Sequence, residues 1–392
     1  MNPPFASRMS TVGRSFTREI LKVTQAPDII SFAGGLPNPA FIPVQAIADA
    51  AAKVLQNDGL DALQYRPTEG YLPLRQYIAQ RYRTRRNLDV EPDEILITTG
   101  SQQGLDLIGK VFLDRDDTII VEQPTYLAAI QAFGLYQPRF LSVPLQEDGI
   151  DIAALQAVLA QSSPKLMYSV PNFQNPTGIS YSEEKRRSLA EAFQGRPILF
   201  IEDDPYGDLR FRGRPLPSMR TYLPDNTILL GSFSKTVAPG LRLGWICARR
   251  PVMDKLVIAK QAADLHTEYL AQRILHQYLV DNDVESHIQE ICRAYGHQRD
   301  VMLRLIPKYL PHNVRFTQPD GGMFLWLTLP QGQSSMDLFD HAIRARVAFV
   351  PGRPFFANGG GDDTARINFT NADDAHIEEG LRRLGQAMKT YA

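Results

Sequence analysis

Gly231-Ser-Phe-Ser-Lys235-Thr-Val-Ala-Pro-Gly240-Leu-Arg242-Leu-Gly-Trp245 follows directly on an apolar run that ends at Leu230. A lysine beside two serines, followed by an arginine that reads as buried, is poorly explained as solvated surface. Upstream, short β-branched runs alternate with helical patterns: Ile95 to Thr98 then Leu105 to Phe112, Thr118 to Val121 then Leu127 to Phe133, and Leu166 to Val170 then Glu183 to Phe193. Ile198 to Ile201 and Thr227 to Leu230 continue the series. Strands spaced by crossover-length segments predict an α/β fold with a mainly parallel sheet sandwiched by helices. Near-continuous apolar strands fit burial on both faces. Ligands of such sheets sit outside the carboxyl ends of the strands, so the residues just after each run are the informative ones.

Beyond Met253 a helix-rich stretch runs to about Leu310. Strand-like pieces follow at Val314 to Thr317, Gly322 to Thr328, Val347 to Val350 and Arg366 to Phe369, with helical segments near Met336 to Ala345 and Ala375 to Met388. This pattern predicts a smaller α+β domain. The expected division is an N-terminal arm and substrate-covering segment over 1–44, a large domain over 45–285 and a small domain over 286–392.

The 392 residues are 44% hydrophobic and 22% charged, an ordinary globular composition. With 42 Lys+Arg against 43 Asp+Glu, the net charge of −1 gives no global field to hold nucleic acid or an anionic membrane. No apolar run approaches the roughly 18 to 20 residues of a membrane-spanning helix. Two cysteines, Cys247 and Cys292, build no disulfide framework, and a cytoplasmic location is expected. Arg8, Arg14 and Arg18 among serines and threonines imitate a mitochondrial presequence. Phe16, Ile20, Leu21 and Val23 at helical spacing instead suggest a mature N-terminal arm.

Several rival readings fail on the residues. Ser-x-x-Lys is also the nucleophile signature of penicillin-binding proteins and β-lactamases, but the accompanying Ser-Asp-Asn and Lys-Thr-Gly elements are missing. Glu202-Asp203-Asp204 has no histidine near it in sequence, which argues against a metal cluster, and no metal is expected. Asn175-Pro-Thr is excluded as a glycosylation sequon by its proline, while Asn368-Phe-Thr370 satisfies the pattern without any sign of secretion.

Four polar strand ends now stand in order: Thr98-Thr99-Gly100-Ser101-Gln102-Gln103-Gly104, Pro171-Asn172-Phe173-Gln174-Asn175-Pro176-Thr177-Gly178, Ile201-Glu202-Asp203-Asp204-Pro205-Tyr206, and the Lys235 segment. With Arg18-Glu-Ile-Leu, Ser31-Phe-Ala-Gly-Gly-Leu-Pro37 and Arg366-Ile-Asn-Phe369, nearly the whole chain resembles the fold-type I pyridoxal phosphate enzymes, specifically the class I/II aminotransferases. Within them it is similar to the 2-aminoadipate and kynurenine aminotransferase subgroup. The resemblance implies pyridoxal 5′-phosphate as cofactor, with Lys235 as its Schiff-base lysine and Asp203, three residues before Tyr206, facing the ring nitrogen. Tyr206 and Asn175 then match the donors to the cofactor's phenolic oxygen, and Tyr126 the aromatic stacked on the ring. Ser101, Gln102, Ser232, Ser234 and Arg242 match the phosphate contacts, which suits a helix N-terminus and a planar guanidinium fork. Tyr65, in Leu63-Gln-Tyr65-Arg-Pro, matches a tyrosine that reaches the neighbouring subunit's phosphate, so a homodimer with shared sites is implied.

The same resemblance assigns Arg366 to the substrate α-carboxylate, with Asn175 beside it. Arg18 aligns with a mobile-helix arginine for a distal carboxylate, and Gly35 lies beside the substrate. The expected activity is a ping-pong transfer of the amino group of an L-amino acid to a 2-oxo acid such as 2-oxoglutarate. Candidate donors are 2-aminoadipate, glutamate, and aromatic or branched-chain amino acids. The alternatives are a lyase or decarboxylase on the same scaffold, since the cofactor supports all these reactions, and a non-catalytic cofactor-binding sensor of the kind found behind a DNA-binding module.

Overall fold

The β-branched runs become strands whose successive side chains enter two different cores. Leu96, Ile119, Val121, Leu166, Tyr168, Ile201, Leu230 and Ile246 pack into one apolar cluster. Their neighbours point the other way, Ile95, Ile97, Leu229 and Leu243 into a second cluster and Ile120, Met167 and Phe200 into a third. This two-residue alternation is what a sheet covered on both faces requires.

The computed structural model describes residues 4–10, 13, 26 and 28–391. In chain order its first elements are β1 (Ile30–Ser31), α1 (Val44–Ala62), α2 (Leu72–Arg86), β2 (Ile95–Thr99), α3 (Gly100–Phe112), β3 (Thr118–Gln123) and α4 (Leu127–Gly134). Next come β4 (Arg139–Gln146), β5 (Gly149–Ile150), α5 (Ile152–Gln161), β6 (Leu166–Ser169), α6 (Glu183–Phe193), β7 (Leu199–Asp203), β8 (Thr227–Ser232) and β9 (Leu243–Cys247). The helices α7 (Arg250–Gln261), α8 (Tyr269–Asp281) and α9 (Val284–Tyr309) lead to β10 (Arg315–Phe316), β11 (Phe324–Thr328) and α10 (Ser335–Arg344). The chain ends with β12 (Val347–Ala348), β13 (Val350–Pro351), β14 (Thr364–Asn368) and α11 (Asp374–Tyr391). No helix among the described residues is long and apolar enough to cross a membrane.

The large sheet has the order β2-β9-β8-β7-β6-β3-β4-β5. It is parallel from β8 through β4, while β9 runs antiparallel to both of its neighbours and β5 antiparallel to β4. The second sheet, β10-β11-β14-β13, is antiparallel. Val347 to Val350, which reads as one strand, divides between β12, paired with β1, and β13, paired with β14. Helix starts follow local chemistry: Asp151, Ser182, Asp283 and Ser334 accept hydrogen bonds from the first-turn amides of α5, α6, α9 and α10. Asn87, with φ 51°, closes α2 in the left-handed conformation.

The topology gathers the carboxyl ends of β2, β3, β6, β7 and β8 at one edge. Gly244 of β9 makes this edge compact. A Cβ there would lie 2.7 Å from the Ser101 amide nitrogen, 2.8 Å from the Gly100 carbonyl carbon and 2.8 Å from the Gly231 oxygen, all of them backbone atoms. Gly244→Ala must therefore push β9 from the start of α3 and should destabilise the fold by about 1 to 3 kcal/mol. Gly240→Ala, with nothing within 4 Å of the added atom, serves as the control in a thermal melt and should leave the midpoint unchanged.

Candidate functional site

Five strand ends and one segment near the N-terminus line a single cleft of about 450 Å³. Ser101 and Gln102 come from the first turn of α3, Tyr126 precedes α4, and Asn175 lies on the loop after β6. Asp203 ends β7, Tyr206 follows it, and Ser232, Ser234, Lys235 and Arg242 surround the end of β8. Gly35 and Arg366, the latter on β14, close the cleft from the opposite side. The structure thus brings together twelve of the fourteen residues singled out in the sequence.

Lys235 donates from Nζ to the Gly35 carbonyl oxygen at 2.6 Å. Its amine is pulled down to about 8, first by burial and then by the positive charges of Arg366 and Arg242. Arg366 is buried without a carboxylate partner among the described residues. Its Nη1 donates to Asn175 Oδ1 at 2.8 Å and its Nη2 to the Ala33 carbonyl at 2.8 Å. The guanidinium packs over Phe324 at 4.3 Å and near Phe355 at 5.3 Å, and burial lowers it to about 10. Its Nε has no partner among the described residues. A buried guanidinium with spare donors, facing a cleft, is built to receive an anion.

At the floor, Asp203 Oδ2 accepts from the Tyr168 hydroxyl at 2.8 Å, and Asp203 Oδ1 is buried without a partner among the described residues. Burial pushes this carboxyl up to about 7, opposed by the Tyr168 hydrogen bond. Asn175 Nδ2 donates to the Tyr206 hydroxyl at 3.4 Å. At the other end, Ser232 Oγ donates to Ser234 Oγ at 2.9 Å and accepts from the Ser234 amide at 3.1 Å. Gly100, with φ +71°, opens α3, and a Cβ there would overlap the Arg242 guanidinium. The first-turn amides of α3, the two hydroxyls and Arg242 form one cationic, donor-rich corner.

Three expectations need restating. Arg242 is exposed, because it opens onto the cleft mouth in a left-handed conformation with φ 54°, its Nη2 3.4 Å from the Thr99 carbonyl. Tyr65 lies outside the cleft, 75% exposed, with its ring edge-on to His266 at 5.9 Å. Arg18 falls outside the described residues. The reading of the sequence also passed over Tyr168, Phe324 and Phe355. Tyr168 carried a usable signal, since a tyrosine inside an all-buried parallel strand must find a partner for its hydroxyl.

The arrangement fits pyridoxal phosphate on its own chemistry: a depressed lysine amine, an unpaired carboxylate oxygen for a ring N–H, and a donor corner for phosphate. A family model described as aminotransferase class I and II matches residues 28–384. The chain is 45% identical to a 2-aminoadipate transaminase of Thermus thermophilus over 389 residues, covering 98% of this chain and 96% of that protein. It is 39% identical to aromatic-amino-acid aminotransferase 1 of Thermococcus litoralis, covering 98% of this chain and 94% of the relative. Among solved structures, an alpha-aminoadipate aminotransferase of Thermus thermophilus complexed with N-(5′-phosphopyridoxyl)-L-leucine superposes with a TM-score of 0.93. That pair shares 44% identity and covers 99% of this chain and 97% of the other.

Burying the Lys235 ammonium should weaken the cofactor-free chain. The folded value of about 8 lies below the ordinary 10.5, so the unfolded chain binds the extra proton between these limits. Stability from this group therefore rises with pH through that window. Lys235→Met should stabilise the cofactor-free protein by about 3 kcal/mol at pH 7. The gain should shrink from pH 8 upward and vanish near 10.5, as read by denaturant unfolding at a series of pH values.

Proposed function

Because the chain belongs to the class I and II aminotransferases and is a pyridoxal-phosphate-dependent enzyme, we propose that it moves the amino group of L-2-aminoadipate, glutamate, and apolar or aromatic L-amino acids to a 2-oxo acid such as 2-oxoglutarate. The observation that carries the site assignment is the Lys235 amine and the Arg366 guanidinium facing one cleft whose floor presents the free Asp203 oxygen. The lyase alternative has no particular feature in its favour, and the relatives reported above are named as aminotransferases.

Pyridoxal phosphate, when bound, supplies an aldehyde that takes up the amino group and a ring that accepts the electron pair left at the substrate Cα. Lys235 is the residue that would hold the aldehyde. Its Nζ, neutral above about pH 8, then takes the proton from the substrate Cα. Arg366 receives the α-carboxylate through its two-nitrogen fork, and Asn175, already bonded to it, fixes that fork and contacts the same carboxylate. Asp203 would meet the ring nitrogen through Oδ1, Tyr206 and Asn175 would donate to the phenolic oxygen, and Tyr126 would cover the ring. Ser101, Gln102, Ser232, Ser234 and Arg242 hold the phosphate.

Leu36, Leu127 and Phe355 are among the residues lining the cleft, apolar surface that suits aliphatic and aromatic donors. The distal carboxylate of an acidic donor falls to Arg18. The active unit in this reading is a cytoplasmic homodimer, each copy lending Tyr65 to the other's phosphate site. Support comes from the exposure of Leu60 (95%), Leu63 (69%) and Tyr65 (75%), large apolar side chains close together in sequence that a partner would cover. Residues 1–44 then act as the arm and cover, 45–285 as the cofactor domain and 286–392 as the small domain that carries Arg366.

The half-reaction is tested by adding single amino acids to the cofactor-loaded protein and following its visible absorption. The band of the aldehyde form should bleach with 2-aminoadipate, glutamate, leucine and phenylalanine, and a folded, loaded Lys235→Ala protein should lose turnover. A bleach with none of the donors would sink the reading. For selectivity, Arg18→Ala should lower kcat/KM for 2-aminoadipate by about 10- to 100-fold, the value of a charge-assisted pair. Leucine and phenylalanine should be spared, and equal loss for all donors would contradict the role.

A further inference from the structure

Asp203 is the last residue of β7, and its neighbour across the ladder is β6, on which Tyr168 pairs with Ile201. Tyr168 and Asp203 therefore project from the same face of adjacent strands. The hydroxyl of Tyr168, itself fully buried, donates to Asp203 Oδ2 at 2.8 Å in a contact closed to solvent. The tyrosine ring is fixed by the core, packing edge-on against Phe133 with centroids 5.9 Å apart. Asp203 Oδ1 has no partner among the described residues, while Asp203 itself lines the cleft. One oxygen is held from beneath and the other is left for the ligand.

Among the described residues no cation pairs with this carboxylate. Arg86 is committed to Asp204 at 3.1 Å and Asp208 at 3.5 Å, and Arg366 to Asn175 and Ala33. The nearby acids Glu122 and Asp204 oppose ionisation of Asp203, as does burial. The sole side-chain donor to its two oxygens among the described residues is the Tyr168 hydroxyl. A buried carboxylate with one neutral donor depends on that donor heavily, because losing it leaves both oxygens unsatisfied.

We propose that Tyr168 is a positioning residue for the cofactor's ring nitrogen, acting through Asp203: its hydroxyl holds Oδ2, aims Oδ1 into the cleft and keeps the carboxylate anionic, so that the proton shared with the ring stays on the nitrogen. The inference rests on Asp203 facing that nitrogen. Without the hydroxyl, the carboxylate becomes the stronger base of the pair, and the shared proton moves from the ring nitrogen to Asp203 Oδ1. No atom is gained or lost in that shift. The ring then loses its positive charge, and with it both its attraction to the site and its capacity to accept electrons.

The test is binding, independent of turnover and of Lys235. Pyridoxamine 5′-phosphate, which forms no bond to the lysine, is titrated into the cofactor-free protein alongside its 1-deaza analogue, in which carbon replaces the ring nitrogen. Tyr168→Phe removes a single oxygen and keeps the packing on Phe133. It should weaken pyridoxamine phosphate by about 10- to 100-fold, the value of a hydrogen bond to a charged group. It should leave the deaza analogue within about twofold, since that ligand has no ring nitrogen to lose its partner. Nitrogen-15 labelling of the ring should show the resonance of the bound ligand moving toward that of neutral pyridine. Equal losses for both ligands, the mark of a merely structural role, would overturn the proposal, and so would no loss for either.

Should Tyr168→Phe fold poorly around the unsatisfied Asp203, the comparison moves to the Asp203→Asn background, where no charge needs the hydroxyl. There the added Tyr168→Phe change should cost less than about twofold in pyridoxamine phosphate affinity, and a full additive loss would again overturn the inference. An unsubstituted protein that binds both ligands equally would instead strike at the placement of Asp203 against the ring nitrogen.

Discussion

Two cations share one cleft with no acidic partner for either among the described residues, and most of the site follows from that constraint. Burial lowers both the Lys235 amine and the Arg366 guanidinium, and the positive charge of Arg366 lowers the amine further. What holds them is neutral: the carbonyls of Gly35 and Ala33, the Asn175 amide oxygen, and the faces of Phe324 and Phe355. A carboxylate in those places would make a stronger pair, and would also neutralise the site against an anionic ligand. Neutral acceptors orient the cations and leave their charge available to an anionic ligand in the cleft.

The acids of the region are held away from these cations. Glu122, fully buried, accepts from Ser169 Oγ, the Val170 amide, Gln174 Nε2 and the Tyr181 hydroxyl. Glu202 accepts from Ser218 Oγ and the Met219 amide. Each is surrounded by neutral donors, which keeps a buried charge tolerable without consuming a catalytic cation. The Glu122 contacts also brace the loop that carries Asn175, because Gln174 Oε1 accepts from both the amide and the hydroxyl of Thr177. Arg186 reinforces the same loop by donating to the Pro171 carbonyl and Asn172 Oδ1. Buried polar chemistry thus builds the walls of the cleft as well as its contents.

The parallel sheet was legible because both of its faces are buried, so its strands read as apolar runs and the polar residues after them stood out as strand ends. Gly100, Asn175, Asp203 and Lys235 were found in this way. β9 was hidden by Gly244 and Trp245 within a motif that drew attention as a loop, and only pairing with β2 and β8 makes it a strand. The exposure of Arg242 depends on a left-handed backbone that its residue type does not announce. Tyr168, Phe324 and Phe355 lay in apolar patterns where function and core packing have the same sequence signature. Tyr65 stands outside its own chain's cleft, and nothing in its sequence pattern separates it from an ordinary exposed tyrosine.

The segment from Ile30 to Gly35 ties these levels together. β1 pairs in parallel with β12, with Ile30 opposite Val347 and Ser31 opposite Ala348, and the Phe32 amide donates to the Ala348 carbonyl at 2.8 Å. A few residues later the same segment offers Ala33 to Arg366 and Gly35 to Lys235. Phe32 O also accepts from the Asn368 amide at 2.8 Å, two residues beyond Arg366 on β14. One extended stretch therefore spans the cations on both sides of the cleft, and strand pairing fixes it at its start. The separation of the two positive charges is set by backbone register, which is stiffer than any pair of long side chains, so a ligand entering the cleft meets both groups already spaced.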